Sequence, residues 1–160
     1  MTAPPSAVEP FLCEPAQHER RKDLLAIPQW RQADWQTLFS YAREQRIETG
    51  SLLIEKDVSE RALYFVTSGV LEVTAVLSNH SLGVIAKVHP GSVVGELSFL
   101  DGEPRSAKVW ASADSELYRL DFNEYERFAD AHPREACNLL FAIGRIVALR
   151  LRRTQTRNAR

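Results

Sequence analysis

The stretch Val94-Gly95-Glu96-Leu97-Ser98-Phe99-Leu100-Asp101-Gly102-Glu103-Pro104-Arg105-Ser106-Ala107-Lys108-Val109 decides how this chain is read. Gly95 lets the backbone take a positive φ or approach a ligand closely. Glu96 to Leu100 can make one short helical turn, whose free backbone donors at the N-terminal end seat an anion. Arg105 supplies a fork of donors that matches two oxygens of a phosphate. Ser106 adds a hydroxyl and a backbone donor, and ionised Glu96 is an acceptor pair suited to a sugar hydroxyl. Two groups of donors and one carboxylate fit a phosphate joined to a ribose. Residue types alone favour a surface loop carrying a solvated Glu and Arg. Order and spacing separate the two readings.

Upstream of this stretch the pattern is one of short strands. Arg46 to Thr49, Leu52 to Ile54, Ala62 to Val66 and Val70 to Val76 are rich in β-branched and aromatic residues, with Gly50 and Ser68-Gly69 as punctuation. Leu82 to Val88, the turn His89-Pro90-Gly91, Ser92 to Val94, Ala107 to Ala111 and Glu116 to Leu120 continue it. About eight strands at this spacing predict a sandwich or jelly roll. Before them, Asp34 starts a helix to Glu44, with Trp35, Leu38, Phe39 and Ala42 on one face. After them, Asp121 caps a helix from Phe122 to about Ala131. Pro133 opens another, running to about Thr154, with Leu140, Ile143, Val147 and Leu151 on one face. The fold expected is α+β and mainly β: an eight-stranded jelly-roll β-barrel with one N-terminal and two C-terminal helices.

In order and spacing, Gly95-Glu96-Leu97-Ser98 and Pro104-Arg105-Ser106-Ala107 resemble the phosphate-binding cassette of the cyclic-nucleotide-binding domain family. Gly50, Leu53, Ile54 and Glu55 resemble the family's glycine turn and second strand. Tyr64-Phe65-Val66 with Ser68-Gly69 resembles its central strand and turn, and Asp114 to Asp121 its closing strand. The likeness covers residues 28–154. It leaves 1–27 as an arm, and 155–160 as a basic tail. The resemblance implies that Glu96 accepts from the ribose 2′-hydroxyl and that Arg105 pairs with the exocyclic phosphate oxygens. Ser106 and the amides near Leu97 and Ser98 would join the phosphate, with Gly95 keeping the pocket floor clear and Ala107 closing the motif. Val94 stands where the family has an aromatic, and Lys108 where it has Thr or a similar residue.

The resemblance extends to Arg150-Leu151-Arg152-Arg153-Thr154, which is similar to the end of the lid helix in the catabolite activator protein branch. It implies a pocket role for Arg150 and an adenine contact for Thr154, although Gln155 replaces the Ser that follows. Ser after the cassette Arg matches a bacterial cyclic-AMP pattern, so the ligand expected is cyclic AMP, with cyclic GMP less favoured.

The remaining sequence narrows the class. The chain has 160 residues, 44% hydrophobic and 26% charged, with a net charge of −1, as for one globular domain without a whole-chain basic excess. Cys13 and Cys137 are far apart and read as reduced thiols. His18, His80, His89 and His132 are scattered, so no metal is expected. No nucleophile, acid–base pair or cofactor motif appears, so no catalytic residue or enzyme activity is expected. Trp30, Trp35 and Trp110 read as core or edge packing. Pro4, Pro5, Pro10 and Pro15 suggest a loose arm, with a short helix over 16–27 before Pro28. No leader or membrane segment is seen, so a cytoplasmic protein is expected.

The arginines 145, 150, 152, 153, 157 and 160 complement a helix C-terminus, and no helix-turn-helix segment follows them. The expectation is therefore a stand-alone sensor that relays binding to an effector protein through its C-terminal helices. The last helix is also apolar enough on two faces to pair with a second copy. The competing expectation is a ligand-free dimerisation or interaction module that keeps the same fold.

Overall fold

The computed structural model describes residues 3–12, 23–76 and 80–158. Among the described residues, eight strands form two four-stranded antiparallel sheets. The strands are β1 (Arg43–Ile47), β2 (Leu52–Ile54), β3 (Ala62–Ser68), β4 (Leu71–Val76), β5 (Leu82–Val88), β6 (Val93–Val94), β7 (Lys108–Ala111) and β8 (Ser115–Asp121). The first sheet runs β1-β8-β3-β6 and the second β2-β7-β4-β5. The expected jelly roll is present, but as two facing sheets rather than one hydrogen-bonded closed barrel.

Between the sheets lies a core that includes Ile54, Tyr64, Val66, Leu71, Val88, Val94, Val109 and Leu117. The opposite face of the first sheet, with Leu63, Phe65, Val93, Tyr118 and Leu120, is covered by helices. β3 is central in that sheet and buried on both faces, which explains its unbroken apolar run Ala62-Leu63-Tyr64-Phe65-Val66. β1 is an edge strand, and its Arg43-Glu44-Gln45-Arg46-Ile47 is correspondingly polar.

The helices are α1 (Pro5–Val8), α2 (Gln32–Phe39), α3 (Glu96–Asp101), α4 (Phe122–Ala131) and α5 (Pro133–Asn158). A 3-10 turn, Glu9–Phe11, follows α1. Three differences from the sequence reading have physical causes. First, α2 stops at Phe39 rather than Glu44, because Arg43–Ile47 is taken into the sheet beside β8. Asp34 does not precede that helix; from its third position its carboxylate accepts the Arg31 N–H at 2.7 Å. Second, residues 3–12 are not a loose arm. Val8 and Phe11 are buried, and the Phe11 ring meets Trp35, Phe39 and Phe65 at 4.8, 5.6 and 5.9 Å. Apolar burial of this size outweighs the irregularity that Pro4, Pro5 and Pro10 impose. Third, Asp121 occupies the N-cap of α4 but makes no side-chain cap bond. Its carboxylate is claimed by Arg119 at 2.6 Å and Arg43 at 2.8 Å.

The helix expected over 16–27 falls largely outside the described residues, and its described part, 23–27, is non-helical. α5 continues past residue 154 to Asn158, so the start of the expected basic tail is helical. Trp30 and Trp35 are core residues, as expected, while Trp110 is half-buried on β7. Among the described residues, no helix is long and apolar enough to cross a membrane.

Candidate functional site

The cassette is built where β6 leaves the first sheet. β6 pairs with β3 through Tyr64↔Val94 and Phe65↔Val93, and the chain then turns at Gly95 into α3. Gly95 has φ 83°, a conformation that favours glycine. A Cβ at this position would lie 2.5 Å from Arg105 Nη1 and 2.7 Å from the Ala62 carbonyl oxygen. The glycine is therefore required by both backbone conformation and the arginine packed against it.

Arg105 returns from the loop after α3 and is only 2% exposed. Its Nη1 donates to the Gly95 carbonyl at 3.1 Å. Its Nη2 donates to the Ala62 carbonyl at 2.9 Å and lies 3.2 Å from Glu60 Oε2. Its Nε is buried and has no hydrogen-bond partner. The backbone on either side is clamped too, since Arg105 N–H donates to the Val58 carbonyl and Asp57 N–H to the Arg105 carbonyl, both at 2.9 Å.

Glu60 also holds Arg119, whose Nη1 sits 2.6 Å from Glu60 Oε1 and 3.2 Å from the Tyr64 hydroxyl. Burial, followed by the charge of Glu60, raises the Tyr64 hydroxyl pKa above its ordinary value. Burial works against the Asp121 carboxylate. The hydrogen bonds and charges of Arg119 and Arg43 nevertheless hold its pKa below the usual range.

Glu96 is nearly buried, and its Oε1 lies 2.6 Å from Arg150 Nη1, which reaches in from α5. Arg150 Nη2 donates to the Val93 carbonyl at 2.7 Å. Ser98 is buried, while Leu97 and Ser106 are exposed and Ala107 is intermediate. The N–H groups of Glu96, Leu97 and Ser98 open α3 and lie outside its internal ladder. Thr154 is exposed, and its hydroxyl donates back to the Arg150 carbonyl at 3.1 Å. Lys108 pairs with Glu55 at 3.1 Å.

The structure thus brings Gly95, Glu96, Ser98, Arg105 and Arg150 together, with Leu97 on α3 and Ser106 and Ala107 on the loop that follows it. Thr154 lies one helical turn beyond Arg150. Sequence reasoning missed Glu60, Ala62 and Arg119. Their approach brings together residues 43 to 59 positions apart, for which no local spacing gives a signal. A separate polar depression of about 390 Å³ is lined by Ser40, Tyr41, Arg43, Asp121 and Glu124, and contains no cassette residue. Its Arg43 and Asp121 already neutralise each other. Among the described residues, no group of three or more His, Cys, Asp and Glu is placed to hold a metal ion.

A family model described as the cyclic nucleotide-binding domain matches residues 44–132. The chain belongs to the cyclic nucleotide-binding domain family. A cyclic nucleotide-binding domain from Methylobacillus flagellatus superposes with a TM-score of 0.75 at 23% identity, covering 80% of this chain and 72% of that one. The Thermus thermophilus catabolite activator protein gives 0.72 at 23% identity, covering 83% and 61%. At these identities the likeness is one of fold. Lysophospholipase NTE1 of Chaetomium globosum is 26% identical over 107 residues, a span that covers 67% of this chain and 7% of that protein. The cyclic nucleotide-binding domain match ends at His132, so it contains the cassette and α4 but not Arg150.

Proposed function

We propose that this domain is a sensor that binds cyclic AMP, in preference to cyclic GMP, and relays binding to an effector protein through α4 and α5. The observation that carries the reading is Arg105, a nearly fully buried guanidinium at the cassette with one donor, Nε, unanswered. A buried donor without a partner costs about 1–3 kcal/mol. An anionic oxygen supplied by a cyclic phosphate would relieve that cost through a charge-assisted bond.

The remaining groups fit the same ligand. Ser106 offers an exposed hydroxyl next to Arg105, and the first amides of α3 add donors. Glu96 keeps Oε2 as an acceptor for a ribose hydroxyl while Arg150 orients Oε1. Ser rather than Thr after the arginine favours cyclic AMP by resemblance to bacterial members of the family. Thr154 is assigned the base contact once α5 closes over the ligand.

A route to the helices runs through aromatic rings. Phe99 of α3 meets Phe122 and Tyr125 of α4, each at 5.4 Å, and the Tyr125 hydroxyl donates to the Ala136 carbonyl of α5 at 3.3 Å. Farther along α5, Phe141, Gly144, Ala148 and Leu151 form an exposed stripe at three- and four-residue spacing, with Phe141 81% exposed. That spacing suits pairing with a second copy of α5.

One observation favours the second reading, a ligand-free interaction module. Both terminal nitrogens of Arg105 are already engaged within the domain, Nη1 by Gly95 and Nη2 by Ala62 and Glu60. Titration calorimetry with both nucleotides discriminates. The sensor reading expects saturable binding that Arg105→Ala weakens by at least about 100-fold. No heat at millimolar nucleotide would leave the interaction module as the function.

A further inference from the structure

We propose that Arg61 is a positioning residue that latches the cassette helix α3 to the start of α4, so that the two move as one unit when the cassette is occupied. The inference rests on the nucleotide reading above and adds the element through which the site would be coupled to the output helices.

Arg61 stands immediately before β3 and holds two elements with one side chain. Its Nε donates to the Phe99 carbonyl at 2.9 Å and its Nη2 to the Leu100 carbonyl at 3.2 Å. Both carbonyls belong to the last turn of α3, where a helix has no internal donors to offer them. The positive charge also complements the negative end of that helix. The same guanidinium lies over the Phe122 ring, 3.3 Å from its centroid. Phe122 is the first residue of α4, and its N–H donates to the Arg61 carbonyl at 3.0 Å. Backbone and side chain of one residue therefore fix the entry to α4, while the side chain alone fixes the exit of α3.

The residues on either side of Arg61 grip the other end of the cassette. The Glu60 carboxylate and the Ala62 carbonyl both hold Arg105. A phosphate that engages Arg105 through Nε would place a second anionic acceptor on the guanidinium that Glu60 holds at Nη2, weakening the hold of Glu60. Any shift of 60–62 that follows is carried by Arg61 to α3 and α4 together. Arginine suits this task because its planar group can stack on a ring while its edge donates to two carbonyls, which an ammonium cannot do.

The experiment uses the full chain with Arg61→Gln, Arg61→Lys and Phe122→Leu. Amide hydrogen exchange is followed with and without cyclic AMP, and affinity is measured in parallel by calorimetry. In the unsubstituted protein, cyclic AMP should slow exchange in the last turn of α3 and in the first turns of α4. In Arg61→Gln and Phe122→Leu, the α3 response should remain and the α4 response should fall about two- to fivefold, the scale of one exposed cation–π contact. Arg61→Lys keeps the cation but loses the fork, so it should restore part of the α4 response. An undiminished α4 response in Arg61→Gln overturns the latch.

If the unsubstituted protein binds no cyclic nucleotide, the sensor reading fails by itself, and the latch is decided in the free protein. There Arg61→Gln should speed exchange at Gly102 and in the first turn of α4 together, about tenfold, as expected for losing charge-assisted bonds. Acceleration in only one of them, or in neither, overturns it.

Discussion

Arg150 and Glu96 form an ion pair at 2.6 Å, which joins the penultimate turns of α5 to the first residue of the cassette helix. The two residues are 54 positions apart, and both are partly shielded from solvent. A shielded, hydrogen-bonded pair of this kind is strongly felt when one partner is removed. Arg150→Ala should therefore weaken cyclic AMP binding about tenfold and increase hydrogen exchange in residues 146–154 of the free protein. Retention of full affinity, measured by calorimetry, would remove Arg150 from the site.

Gly95→Ala tests the floor of the cassette. The added methyl has to take a left-handed backbone and crowd both Arg105 Nη1 and the Ala62 carbonyl. The cost expected is about 1–3 kcal/mol of stability from the strained conformation. Nucleotide binding should be lost more completely than stability, because the guanidinium of Arg105 and the carbonyl that holds it are both displaced. Denaturant unfolding and calorimetry on the same sample separate the two effects.

Phe11→Ala tests whether the N-terminal segment is part of the folded domain. The ring is buried among Trp35, Phe39 and Phe65, so its removal leaves a cavity in the helix-side core. Urea unfolding should show a loss of about 3–5 kcal/mol. A change below about 0.5 kcal/mol, the scale of an ordinary surface substitution, would mean that residues 3–12 do not contribute to the core.

Asp121 makes acid stability a site-specific prediction. Its carboxyl pKa is lowered in the folded protein, through Arg119 and Arg43 acting against burial. A lowered folded-state pKa stabilises the protein above the unfolded value of about 3.9. That contribution is lost as the pH falls through the lowered folded-state value. Asp121→Asn should lower the melting temperature at pH 7 and flatten its decline below about pH 4. Parallel thermal scans of the two proteins between pH 7 and pH 2 provide the measurement.

Much of the architecture was legible locally. The alternation of short apolar runs with glycine turns marks strands, because strand side chains repeat every second residue and turns require residues that tolerate positive φ. Pro133 marks the start of α5, where its missing donor is harmless. The limits of α2 were not legible. Nothing local in Arg43-Glu44-Gln45 opposes helix, and only pairing with Leu117, Tyr118 and Arg119 turns it into strand. The burial of residues 3–12 was hidden for the same reason. Prolines describe what a backbone cannot do alone, while Phe11 gains its stabilisation from rings supplied by α2 and β3.

The sequence by itself determined the family, since Gly95, Glu96, Arg105 and Ser106 lie within one short segment whose spacing is its own signature. Only the tertiary structure decided what those groups touch. It placed Glu60 and Ala62 on Arg105, Arg150 on Glu96, and Arg61 between α3 and Phe122. Each of these contacts joins residues 38 or more positions apart, and such approaches are set by sheet pairing and helix packing rather than by local preference.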